Sequence, residues 1–118
     1  MESKGLFLTE EKKGVVIIYP PSRLDASVSN ELKEIIANYI SRNIYKLIID
    51  FKNTKLIDSS GLGAIVSKIS VCRTHNGDVR LCNISDNIKE VLSITHLDKI
   101  LKIYNSQTEC LSSFTNNV

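Results

Sequence analysis

The chain has 118 residues, of which 42% are hydrophobic and 24% charged, and a formal net charge of +2. That length supports one compact domain with its own core, without a metal or disulfide staple. The even charge balance, with no Lys/Arg cluster among aromatics, argues against direct nucleic-acid contact, and no apolar run approaches the roughly 20 residues of a membrane span.

Met1-Glu2-Ser3-Lys4-Gly5 lacks the apolar stretch of a signal peptide, so a cytoplasmic protein is expected. Gly5-Leu6-Phe7-Leu8-Thr9 and Val15-Val16-Ile17-Ile18-Tyr19 read as strands, joined through Glu11-Lys12-Lys13-Gly14 as a hairpin. Pro20-Pro21 stops the second strand, because proline cannot donate to a ladder. Val28, Leu32, Ile35, Ile36, Tyr39 and Ile40 then form one continuous helical stripe, with Asn30, Glu31, Lys33, Glu34 and Asn38 on the other side.

Tyr45 to Phe51 has an uninterrupted apolar centre, the habit of an interior parallel strand covered on both faces. Lys52 to Ile57 reads as a connector, and a second helix starts near Ser59 with Leu62, Ile65, Val66 and Ile69 as its buried stripe. An Asn76-Gly77-Asp78 turn leads to a strand at Val79–Cys82, and Ser85 is placed to cap a helix carrying Ile88, Val91 and Leu92. Ile100 to Tyr104 reads as a last strand, and Ser106 with Glu109 as a capping box for a C-terminal helix. The order predicts a single α/β domain over residues 5–114, with a mixed, mostly parallel sheet of about five strands and about four helices. Residues 115–118 are expected to form a flexible tail.

Cys72, Cys82 and Cys110 are an odd number, lie far apart, and take no metal-ligand spacing from His75 and His96. Reduced, buried thiols are expected. Neither a metal nor a cofactor is implied.

The specialised segment is Asp58-Ser59-Ser60-Gly61-Leu62-Gly63, at a junction between strand and helix where α/β domains gather functional groups. Serine at a helix start commonly caps it, so one serine of the pair is expected to cap and the other to face solvent. Gly61 and Gly63 each forgo roughly 1 kcal/mol of helix propensity. Either close packing against a neighbouring strand or a low-relief docking surface would explain them. Catalytic motifs fit poorly. Ser59 has Ile57 where a nucleophile elbow needs glycine, Val66 stands where a dinucleotide fingerprint needs its third glycine, and no GxxxxGK[ST] loop exists. The chain does not read as an enzyme. An anion or nucleotide module using this helix N-terminus, or an unmodified scaffold, stays open, although the loop has no Lys or Arg to complete a phosphate site.

In Asp58 to Gly63, in Arg23-Leu24-Asp25-Ala26 before the first helix, and in element order over nearly the whole chain, the sequence resembles the STAS domain family, specifically the bacterial anti-sigma factor antagonists. The resemblance implies a partner-switching regulator. Its unmodified form would bind an anti-sigma factor that is also a serine kinase, thereby freeing a sigma factor. Phosphorylation of Ser59 would break that complex, and a serine phosphatase of the PP2C type would reset it. Asp25, Asp58, Ser60, Gly61, Leu62 and Gly63 would form the docking surface of a monomer or weak dimer that contacts neither nucleic acid nor membrane. Asp25 has the plainer alternative of capping the first helix. One position departs from the family pattern, with Ser22 where glycine usually precedes Arg-Leu-Asp-Ala.

Overall fold

A computed structural model describes residues 1–115. Among the described residues there are eight strands: β1 (Glu2–Lys4), β2 (Phe7–Lys12), β3 (Val15–Tyr19), β4 (Arg23–Leu24), β5 (Lys46–Asp50), β6 (Leu56–Ile57), β7 (Asp78–Cys82) and β8 (Ile103–Tyr104). Between them run α1 (Ser29–Ser41), α2 (Ser59–Val66), α3 (Ile69–Thr74), α4 (Asp86–Ile94), a single 3-10 turn at Leu97–Lys99 and α5 (Gln107–Thr115).

Six strands form the main sheet in the order β1-β2-β3-β5-β7-β8, and β4 pairs with β6 as a separate ladder. The first two pairings are antiparallel and those from β3 to β8 are parallel. The sheet is therefore one strand wider than predicted. Glu2-Ser3-Lys4 lacks apolar alternation and joins only by backbone pairing to the β2 edge, so its sequence carries no strand signal. The hairpin connector is also shorter. Lys13 and Gly14, both at positive φ, make a two-residue turn whose twist matches its strands, and β2 runs on to Lys12. The last strand shrinks to Ile103–Tyr104, because Leu97–Lys99 coils into the 3-10 turn ahead of Ile100.

Strand alternation sorts the core into two layers. Val16, Ile18, Leu47, Ile49, Val79 and Leu81 face α1, α2, α3 and α4, where Leu32, Ile36, Ile65 and Leu92 meet them. Val15, Ile17, Tyr19, Ile48 and Cys82 face Cys110 and Phe114 of α5. This two-sided cover is the reason for the unbroken apolar run in β5. A bend at Ser67–Lys68 divides the predicted second helix into α2 and α3. There Ser67 Oγ donates to the Ala64 carbonyl at 2.8 Å, in competition with the backbone ladder. Counted as one bent arm, the pair leaves four helices, as expected.

Polar groups tie α5 down. The fully buried Asp50 carboxylate accepts from Gln107 Nε2 at 2.8 Å, Asn83 Nδ2 at 3.1 Å and the Lys52 N–H at 2.9 Å. Gln107 also donates to the Tyr19 hydroxyl, which is bonded to Glu10, and burial pushes the Tyr19 phenol up to about 12. Arg80 donates to Asp78 at 3.0 Å and to Ser113 at 2.7 Å while stacking over Phe114. Ser106 Oγ accepts the Glu109 N–H, the expected cap at this helix start.

The three cysteines are buried free thiols. Burial pushes Cys72 up to about 11, and the neighbouring Cys110 thiol, with burial, raises Cys82 as well. No described helix is long and apolar enough to cross a membrane. Thr115, expected in the tail, is the last residue of α5, and residues 116–118 lie outside the described residues.

Candidate functional site

The short parallel ladder of β4 and β6 creates the site. It holds the loop before α1 against the start of α2, with Arg23 opposite Leu56 and Leu24 opposite Ile57. The Ser22 carbonyl accepts the N–H groups of Lys55 and Leu56 at 2.8 and 3.2 Å. Ser22 is not among the residues at positive φ. The usual glycine of this position is therefore not required by the backbone here.

Asp58 joins the two loops. Its carboxylate accepts the Gly61 N–H at 3.0 Å as the N-cap of α2, and the Ala26 N–H at 3.3 Å across the site. Its own N–H donates to the Leu24 carbonyl at 3.3 Å. The expectation that one serine caps this helix is thus corrected. An ionised carboxylate one residue earlier is an equally good acceptor, with the added attraction of the helix dipole. Both serines are left in the first turn, Ser59 exposed and Ser60 half-buried. Their backbone N–H groups are among those with no acceptor inside the helix. Asp58→Ala is expected to cost about 1–2 kcal/mol in urea unfolding, whereas Asp58→Asn, which keeps an acceptor, should lie within about 0.5 kcal/mol of the parent.

Asp25 does not cap α1, whose N-cap is Val28 without a side-chain bond. Its carboxylate instead accepts from Ser27 Oγ at 2.6 Å and the Ser27 N–H at 3.0 Å. The Ser27 hydroxyl, then its N–H, holds the Asp25 carboxyl below the usual aspartate range. A folded-state value below the unfolded one leaves the brace intact above the ordinary carboxylate range and releases it as pH falls through the lower value. NMR titration should find the Asp25 midpoint depressed, and Ser27→Ala should return it upward.

The two glycines have different reasons. A Cβ on Gly61 would lie 2.3 Å from the Leu24 carbonyl oxygen, so close packing against β4 demands glycine. A Cβ on Gly63 would meet nothing within 4 Å, and Gly63 is exposed. Leu62 is buried with Gly61, so these two shape the surface from beneath, while Asp58, Ser59, Ser60 and Gly63 form its skin.

A model of the STAS domain matches residues 7–110. The chain belongs to the STAS domain family. It is 26% identical to an anti-sigma F factor antagonist of Paenibacillus polymyxa, over 87% of this chain and 89% of that one. A Thermotoga maritima crystal structure, assigned as a candidate anti-sigma factor antagonist, superposes with a TM-score of 0.87 at 25% identity, over 95% and 97% of the two chains. The antagonist SpoIIAA of Bacillus shares the fold in both states. Its unphosphorylated form gives a TM-score of 0.73 at 18% identity over 95% and 99%, and its phosphorylated form 0.70 at 20% over 91% and 97%.

On this STAS domain the sequence reasoning missed an apolar groove of about 340 Å³ beside Asp58, lined by Arg23, Asp25, Leu56, Ile57 and Asp58. Leu56 is 49% exposed there. The available signal was an apolar pair, Leu56-Ile57, ending an otherwise polar connector.

Proposed function

We propose that this STAS domain is an anti-sigma factor antagonist that works by partner switching, with Ser59 as its phosphoacceptor. The observation that carries the reading is the division of labour at the α2 start. Asp58 holds the cap, and Ser59 stands exposed on the first helical residue. The antagonist relatives add support. In the unmodified state, Ser59, Ser60, Gly63 and the Leu56 groove dock on an anti-sigma factor that is also a serine kinase, and the sigma factor is released.

In the complex, Ser59 Oγ attacks the γ-phosphorus of ATP, loses its proton to a base on the kinase, and ADP leaves. The product carries about −1.5 to −2 charges. The free N–H groups and dipole of α2 accommodate that charge, so the domain stays folded. The docking skin, which already carries Asp58 and lies beside Asp25, becomes strongly anionic, and the complex parts. A PP2C-type phosphatase transfers the phosphoryl group to water and restores the hydroxyl. This cycle operates in the cytoplasm, and the STAS domain itself performs no catalysis.

Incubation with the anti-sigma factor kinase and ATP, followed by phosphosite mapping, is expected to find modification on Ser59 alone. Modification confined to Ser60 would overturn the assignment.

A further inference from the structure

Beyond the switch surface, α2 leads to a second groove. Val66 ends α2, Ile69 begins α3, Leu97 lies in the 3-10 turn and Ile100 follows it. With Ser70, Arg73 and Thr74 they wall an open groove of about 510 Å³. Its base is fixed, because Arg73 donates to the Ile100 carbonyl at 2.7 Å and to Asp78 at 2.9 Å, tying α3 to the turn. Ile100 nevertheless stays 51% exposed. Concave apolar surface left in water marks a site of interaction.

The charge around the groove has one dominant sign. Lys68 precedes Ile69, Lys99 precedes Ile100 and Lys102 follows Leu101, all exposed, and Arg73 lines the wall. Asp98 is the exposed acid of the same stretch, and buried Asp78 is committed to Arg73 and Arg80.

We propose that this groove docks an acidic amphipathic helix of a partner protein, with its apolar face against Val66, Ile69, Leu97 and Ile100 and its carboxylates toward Lys68 and Lys99. Helix-in-groove recognition needs an apolar trough with charged flanks; the lining supplies the trough, and exposed Lys68 and Lys99, next in the chain to Ile69 and Ile100, supply the charge. A second copy of the chain is disfavoured, since groove-to-groove pairing would gather Lys68 and Lys99 of both copies into one interface with Asp98 as the neighbouring acid. A lipid surface is disfavoured because the isoleucines line a hollow rather than a protruding face. The site is distinct from the phosphoacceptor, because α2 sets Ser59 seven residues and about 10 Å along the helix axis from Val66 at the groove.

The test uses the isotope-labelled full chain and a synthetic helical peptide of about 15 residues, with leucines at i, i+3, i+4 and i+7 and glutamates on the flanks. A control peptide carries lysines in place of the glutamates. The acidic peptide is expected to shift the amide signals of Val66, Ile69, Leu97 and Ile100. Ile100→Glu, at an exposed position, should weaken it about tenfold or more, as should Lys68→Glu with Lys99→Glu. Ser59→Asp should bind it unchanged. Equal binding of the lysine peptide, no binding of the acidic one, or shifts centred elsewhere would refute the proposal. So would an equal loss in Ser59→Asp, a dimer dissolved by Ile100→Glu in analytical ultracentrifugation, or Ile100-dependent flotation with phosphatidylglycerol vesicles.

Discussion

Ser59→Asp is expected to weaken binding to the anti-sigma factor kinase by at least about 100-fold, roughly 2.7 kcal/mol, with the circular-dichroism spectrum unchanged. The two outcomes share one cause. At the first residue of α2 a carboxylate interacts favourably with the helix dipole, by about 0.3–1 kcal/mol, so the fold loses nothing and the thermal midpoint holds or rises slightly. At the interface the same charge must be desolvated beside Asp58 without a designed partner, and a buried unpaired charge costs several kcal/mol. Ser59→Ala separates the effects, since it should retain kinase binding yet resist modification. Titration calorimetry on the three proteins decides the matter. An affinity within about threefold of the parent for Ser59→Asp, well under 1.4 kcal/mol, would rule out a charge-operated switch.

The second large effect is expected at Gly61. The added methyl of Gly61→Ala would stand 2.3 Å from the Leu24 carbonyl oxygen, 2.9 Å from Leu24 Cγ and 3.0 Å from Ile57 Cγ1. The nearest obstacle is backbone, so either β4 or the α2 start must move. Overpacking of this kind costs about 1–3 kcal/mol, and the Asp58 bridge is strained with it. Gly63→Ala is expected to do the reverse. Its Cβ meets open space, and replacing a helical glycine stabilises by about 0.5–1 kcal/mol. Urea unfolding should therefore displace the two midpoints in opposite directions. If Gly63 belongs to the docking skin, Gly63→Ala will bind the kinase less well while unfolding later, a combination that ordinary destabilisation does not produce. Equal destabilisation at both glycines would refute this division.

The parts of the fold read correctly from sequence are those fixed by local periodicity. The α1 stripe Val28, Leu32, Ile35, Ile36 and Tyr39 is buried as its spacing requires. The Ser85 cap bonds the Ile88 N–H, and β5 is covered on both faces. The parts misread depend on contacts between distant segments. Two-residue strands have no period to detect, so Arg23–Leu24 and Leu56–Ile57 become visible only when paired. That ladder brings Ala26 and Leu24 to Asp58, which explains why composition alone favoured a serine cap over Asp58. The two glycines look alike in sequence and differ solely in what stands opposite them. The preference for Ser59 over Ser60 rests on resemblance, whereas the groove at Leu56 needed the tertiary structure.

The unequal cover of the main sheet has a consequence for biosynthesis. One face is closed by α1 to α4, elements interleaved with the strands as they are made. The other, carrying Val15, Ile17 and Ile48, is closed by α5 alone. A ribosome that has delivered β3, β5 and β7 has therefore exposed a sheet with one apolar side still open to water. That side stays uncovered until Cys110 and Phe114 emerge, so completion of the second core layer waits on α5.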